Sequence, residues 1–141
     1  MCEQQMGTPR IRLLLIDDEK EYASVLSKRF SRRNIDTIKA DNGAKGLQAL
    51  RWTHFDVVVL DLKLGSDMDG LEVLKVCKKI DEQLPIIILT GHGSAEAAQE
   101  GLALGAFDYL TKPCDLEELL QKIYQAVWSS KPGKCPNNTK S

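Results

Sequence analysis

Short apolar runs alternating with helix-like segments along the whole chain predict an α/β domain built on one parallel sheet. Three of the runs, Leu13 to Ile16, Val57 to Leu60 and Ile86 to Leu89, are continuously apolar and as a set rich in β-branched residues, as strands covered on both faces must be. Asp17, Asp18, Asp61, Thr90 and Lys112 fall where such runs give out, so parallel strands would gather all of them at one sheet edge. In open α/β sheets that carboxyl edge is where ligands bind.

The first strand is Ile11 to Ile16, followed at helical spacing by Tyr22, Val25, Leu26 and Phe30. Ile35 to Ala40 is more polar and reads as an edge strand; Leu47 and Leu50 belong to the next helix, which Asn42 can cap. His54 sits in the loop before the third strand, Phe55 to Leu60. Leu71, Leu74 and Ile80 then mark a helix capped by Asp69, with Cys77 on its apolar face as a small buried side chain. After Ile86 to Leu89, Ser94 can cap a helix of about Ala95 to Leu104 that Gly105 stops. That helix has few large anchors and is expected to be the least firmly docked. Phe107 to Thr111 is the other edge strand. Asp115 with Glu118 forms a capping box before the last helix, whose apolar positions are Leu116, Leu119, Leu120, Ile123 and Val127. Beyond Trp128 the chain turns polar, with Pro132, Gly133 and Pro136. The expected division is a flexible N-terminus over 1–9, a domain over 10–128 and a polar tail over 129–141.

A chain of 141 residues is the size of one domain. Its 43% hydrophobic and 28% charged content is that of a soluble protein, and a net charge of -1 offers no basic footprint for nucleic acid or an anionic membrane. Cys2, Cys77, Cys114 and Cys135 are too far apart for a Cys-x-x-Cys site, and disulfides are not expected. The first ten residues lack the apolar core of a signal peptide, and nowhere do about 18 apolar residues run together. Cytoplasmic residence is the expectation.

Asp17 and Asp18 have two readings. One makes Asp18 the cap of the first helix, boxed with Glu21; the other makes the pair part of a site. Asp61 on a neighbouring strand bears on the choice, because two unit charges about 4 Å apart repel by roughly 4 kcal/mol at an effective dielectric of about 20. Three carboxylates there need a cation. Oxygen-only ligands half open to solvent suit Mg²⁺, whereas zinc would want His or Cys, and His54 and His92 are not spaced to join. Lys112 supplies a second cation, unless it is only a solvated lysine before Pro113. Thr90 either favours its strand or turns its hydroxyl toward an anionic oxygen over Asp61. Carboxylate, metal seat, lysine and hydroxyl around one volume are the equipment of phosphoryl transfer. The loops of nucleotide hydrolases and dinucleotide binders, the serine hydrolase elbow and His-Glu-x-x-His are all absent.

As a set these residues resemble the receiver domain of two-component response regulators, over about Arg10 to Trp128. The motifs are Leu-Leu-Ile-Asp-Asp-Glu at 14–19, Val-Val-Leu-Asp-Leu at 58–62, Met-Asp-Gly at 68–70, Leu-Thr-Gly at 89–91 and Ala-Phe-Asp-Tyr-Leu-Thr-Lys-Pro at 106–113. The stretch from Leu89 to Leu120 is most similar to receivers of nitrogen-regulatory type activators. The resemblance implies a flavodoxin-like fold of strand order 2-1-3-4-5. It implies that Asp61 accepts a phosphoryl group from a sensor histidine kinase or phosphotransfer protein. Mg²⁺ would be held by Asp18, by Asp17 mainly through water, by Asp61 and by the main-chain carbonyl of Lys63. Lys112 and Thr90 would contact the phosphoryl oxygens, Tyr109 would be the switch aromatic, and the Lys112–Pro113 peptide would be cis. Output would pass to a downstream protein through the face of helix four, strand five and helix five, from a monomer or weak dimer, with no turnover of an outside metabolite.

One departure stands out. Such domains usually continue from the acceptor as Asp-x-x-Met-Pro-Gly-x-Asp-Gly, whereas here Asp61 to Gly70 lacks the proline and carries one extra residue. Lys63 and His92 occupy positions that flank the attacking-water path in the family, and are expected to tune acyl-phosphate lifetime. Three other readings compete: an aspartyl phosphatase of the haloacid dehalogenase type, which wants a second Asp where Lys63 stands; a flavodoxin, which wants a hydroxyl-rich loop where Asp17, Asp18 and Glu19 stand; and a receiver-like scaffold that no longer switches.

Overall fold

The computed structural model describes residues 10–64, 68–91 and 95–130. Cys2, His92, Ser94 and Cys135, and the middle of the altered loop at 65–67, lie outside them. The element order is β1 (Ile11–Ile16), α1 (Lys20–Ser31), β2 (Ile35–Ala40), α2 (Gly43–Trp52), β3 (Val57–Asp61), α3 (Gly70–Ile80), β4 (Ile86–Thr90), α4 (Ala95–Ala103), β5 (Asp108–Thr111) and α5 (Leu116–Ser130). All neighbouring strands pair in parallel, in the order β2-β1-β3-β4-β5. The edges are β2, as its polar composition predicts, and the short β5, the other edge expected.

Alternation along the strands divides the core in two. Leu13, Leu15, Val57, Val59, Ile87 and Leu89 lie with Leu26 and Phe30 of α1 and Leu119 and Ile123 of α5. Leu14, Ile16, Val58, Leu60, Ile86 and Ile88 lie with Val73, Leu74 and Cys77 of α3 on the other side. Full burial of one such side chain stabilises by roughly 1.5–3 kcal/mol, which is why the sheet is held between two helical layers. The base of β3 is pinned by Asp56, whose carboxylate accepts from the Arg12 amide at 2.8 Å while its own amide donates to the Arg12 carbonyl, also at 2.8 Å.

Helix faces depart from expectation at two positions. Val25 is 49% exposed and Ile80 42% exposed. Val25 adjoins Leu26 in sequence and so projects about 100° around the helix from it; the buried stripe runs through Ala23, Leu26 and Phe30 instead. Ile80 is the last residue of α3, whose buried stripe is Gly70, Val73, Leu74 and Cys77. The sparse anchoring of α4 is as expected, with Ala98 and Gly101 its buried residues, and Gly105 follows it at φ +112°. Asn42 caps α2 by accepting from the Lys45 amide, and Asp69 forms a full capping box with Glu72.

The altered loop is closed at its base. The Gly70 amide donates to the Leu62 carbonyl at 3.1 Å, and Leu64 is buried. A Cβ on Gly70 would lie 2.4 Å from the Leu62 Cα and 2.7 Å from its carbonyl oxygen. These are backbone atoms that cannot swing aside, so Gly70→Ala is expected to destabilise the fold by about 1–3 kcal/mol. Gly91→Ala, where an added carbon meets nothing within 4 Å, should stay within about 0.5 kcal/mol of the parent. Urea unfolding of both variants measures the difference.

Candidate functional site

The alternation that sorts the core also aims the polar residues. Continuing past Leu15, Val59 and Leu110, it sends Asp17, Asp61 and Lys112 to the face covered by α1 and α5. Thr90 continues the opposite row of Ile86 and Ile88, and Tyr109 pairs in register with Ile88 on that same side. The phosphoryl-type chemistry and the Thr90–Tyr109 pair therefore meet at one sheet edge from two faces.

Lys112 is the hub. Its Nζ donates to Asp17 Oδ2 at 2.9 Å, to Asp61 Oδ2 at 3.2 Å and to Glu19 Oε1 at 2.6 Å. It also stands 4.5 Å from the centroid of the Tyr22 ring. Asp17 and Asp61 are buried, and each spends its second oxygen on the backbone: Asp17 Oδ1 accepts from the Glu19 amide at 2.9 Å, Asp61 Oδ1 from the Lys63 amide at 3.0 Å. The Lys112 amide donates to the Thr90 carbonyl at 2.6 Å, and the Lys112–Pro113 peptide is cis.

These contacts shift proton affinities. Burial, reinforced by the negative charge of Asp17, raises the Asp61 carboxyl above the ordinary range, against the Lys63 amide and Lys112, which pull it down. Burial would lower Lys112, but hydrogen bonds to Glu19 and Asp17 and the charge of Asp61 overcome it and hold the ammonium form. Glu19 is lowered by its hydrogen bond from Lys112. Burial raises the Tyr22 hydroxyl, and its contact with Cys114 at 3.8 Å raises it further.

Among the described residues, the acidic group with ligand atoms within 4.8 Å of one another is Asp17, Glu19 and Asp61. Asp18 is exposed and outside that group. It does not open α1 in the box with Glu21 that one reading of the sequence offers: the helix starts at Lys20, and Glu19 stands at its N-cap without a side-chain cap. Glu19 is the residue that sequence reasoning passed over. Its only signal is adjacency to Asp17 and Asp18, and nothing local shows that it reaches a lysine 93 residues away. Thr90 is buried, Tyr109 half-buried, and Lys63 exposed. His54 stays apart from the site, 3.8 Å from Asp56. A cleft of about 310 Å³ shares Asp17 with the cluster and is lined otherwise by residues including Lys20, Ser24, Lys39, Asp41 and Lys45.

Residues 13–124 match the family model of the response regulator receiver domain. The chain belongs to that family. The receiver is 38% identical over 116 residues to the regulatory protein AtoC of Escherichia coli (strain K12), covering 82% of this chain and 25% of that protein. It is 35% identical over 112 residues to sporulation initiation phosphotransferase F of Bacillus subtilis (strain 168), covering 79% of this chain and 90% of that protein. The crystal structure of NtrX from Brucella abortus in complex with ADP matches with a TM-score of 0.82 at 30% identity, over 86% of this chain and 28% of that one. The receiver thus spans about a quarter of the length of AtoC and nearly all of the phosphotransferase. Its relatives are of the NtrC and AtoC type, in keeping with the resemblance to nitrogen-regulatory activators. The fold is flavodoxin-like, and the receiver is a phosphorylation-controlled switch of two-component signalling.

A raised Asp61 carboxyl has a signed consequence for stability. Its folded-state proton affinity exceeds the unfolded one, so the native state loses stability as pH rises through the raised value. Asp61→Asn is therefore expected to raise the thermal midpoint at pH 7 in EDTA by a few degrees, on the order of 1 kcal/mol. The gain should vanish on acidification below the ordinary carboxylate range, where Asp61 is protonated in both states. Thermal melts across pH 3.5 to 7 test both limbs.

Proposed function

We propose that this receiver accepts a phosphoryl group on Asp61 from the phosphohistidine of a sensor histidine kinase or phosphotransfer protein. The observation that carries the reading is the Lys112 ammonium, bonded at once to Asp61 and Asp17 at the carboxyl edge of the sheet. A carboxylate oxygen of Asp61 attacks phosphorus as the phosphorus–nitrogen bond of the donor breaks. The electron pair stays on the donor imidazole, and the product is an acyl phosphate. Attack by water on phosphorus later restores the carboxylate and releases inorganic phosphate. Lys112, already seated against Asp61, pairs with the incoming phosphoryl oxygens.

The oxygens the structure gathers, those of Asp17, Glu19 and Asp61, fit Mg²⁺: anionic and open on one side through exposed Glu19, with exposed Asp18 next to it in the chain. Asp17, Asp18, Asp61 and the main-chain carbonyl of Lys63 would hold the ion, which supplies charge stabilisation for the phosphoryl oxygens when bound. The main chain of Lys63 is kept in place by the hydrogen bond its amide donates to Asp61 Oδ1 and by the closed base of the altered loop.

An acyl phosphate adds up to about two negative charges beside Lys112. Thr90 moves to hydrogen-bond one of its oxygens, and the space it leaves on its own face of the sheet admits the Tyr109 ring. The face of α4, β5 and α5 is thereby rebuilt for a downstream protein. Lys122 of α5 and Asp108 of β5 form an ion pair of 2.6 Å across it. Moving the population from 1:99 to 99:1 takes about 5.5 kcal/mol of differential stabilisation. The receiver over 10–128 acts as a regulator and turns over no outside metabolite. It works in the cytoplasm as a monomer or weak dimer without touching nucleic acid or membrane; none of its described helices is long and apolar enough to cross one.

Incubation with Mg²⁺ and acetyl phosphate should add one alkali-labile phosphoryl group to the parent and none to Asp61→Asn; label that persists in the variant defeats the assignment. Thr90→Ala should still take the label but lose the phosphorylation-dependent change in the Tyr109 ring resonances, read by NMR.

A further inference from the structure

We infer that Glu19 is a positioning residue that holds the Lys112 ammonium in the unphosphorylated protein and is the partner Lys112 gives up when a phosphoryl group arrives. This rests on the assignment of Asp61 as acceptor and adds the identity of the exchanging contact.

Three observations carry it. Lys112 has three carboxylate partners, and the contact with Glu19, at 2.6 Å, is the shortest of them. An ammonium offers three hydrogens, so with Asp17, Asp61 and Glu19 engaged its donor capacity is filled, and a phosphoryl oxygen can be bonded only by releasing one of them. The partners are not equally releasable. The Asp17 and Asp61 side chains are 0% and 6% exposed, whereas that of Glu19 is 62% exposed. As the donor arrives and before the acyl phosphate forms, Asp61 is still a carboxylate, and a buried carboxylate stripped of its cation keeps an uncompensated charge away from water; Glu19 merely rehydrates, at the small cost of breaking an exposed ion pair. The Tyr22 ring also lies against the ammonium, 4.5 Å from it at the centroid.

Glu19 therefore competes with the phosphoryl group for one hydrogen of Lys112. Its removal should make Lys112 available earlier in the reaction. Glu19→Gln is expected to accept phosphate from acetyl phosphate about two- to fivefold faster than the parent, the weight of an exposed ion pair. Saturating Mg²⁺, established by titration for each protein, keeps any change in ion affinity out of the comparison. Because the contact is exposed, the ratio of the two rates should shrink as salt is raised toward about 1 M, where screening acts within roughly 3 Å. The Lys112 ammonium ¹⁵N resonance, recorded without Mg²⁺, should move in Glu19→Gln. A purely structural role for Glu19 predicts neither the salt dependence nor that movement. An unchanged or slower rate at saturating Mg²⁺, a salt-independent ratio, or an unmoved resonance overturns the inference. Failure of the parent itself to take label defeats the reading of Asp61, and this inference falls with it.

Discussion

One ammonium group among three carboxylates organises this molecule. Asp17 and Asp61 are buried at the ends of neighbouring strands, where their mutual repulsion at an effective dielectric of about 20 is a matter of several kcal/mol. Lys112 offsets it by bonding both, and Glu19 adds a third negative charge from the rim. One positive charge does not neutralise three negative ones. Burial, reinforced by the negative charge of Asp17, keeps the Asp61 carboxyl raised against the pull of the Lys63 amide and Lys112. The proposed chemistry and a cost in stability draw on the same crowding.

The sheet makes that crowding possible. Parallel strands of matched register bring residues far apart in sequence to one edge, and two-residue alternation decides which face each enters. Asp17, Asp61 and Lys112 share the face of α1 and α5, where Tyr22 also stands; Thr90 and Tyr109 share the other. Chemistry on one side is thus separated by a single layer of backbone from the elements that would report it. The departure from the usual family loop does not disturb this. Gly70 closes against the Leu62 backbone and leaves the Lys63 amide on Asp61.

Much of this was legible beforehand because burial leaves a local record. Continuous apolar runs marked β1, β3 and β4, the polar run of β2 marked an edge, and Asn42 and Asp69 cap helices where their chemistry predicts. The failures have local causes too. Val25 shares the helical spacing of Leu26 and Phe30 yet is exposed, because apolar character alone does not say which of two adjacent helical residues faces inward. For Asp18 only the cap reading is set aside, because the helix begins at Lys20 with Glu19 at its N-cap; both uses ask for an acid before a helix, so sequence alone does not separate them. Glu19 reads as an ordinary acidic residue at a helix start.

The sequence by itself determined the strand and helix pattern, the parallel sheet, and the placing of Asp17, Asp18, Asp61, Thr90 and Lys112 at strand ends, because hydrophobic periodicity and strand termini are properties of neighbouring residues. Only the tertiary structure decided which carboxylates share the Lys112 ammonium, on which face Thr90 meets Tyr109, and that Glu19 belongs to the cluster. Those facts depend on register and on side chains meeting across the chain, 51 to 95 residues apart for the Lys112 contacts, and no local pattern encodes a distance between strands.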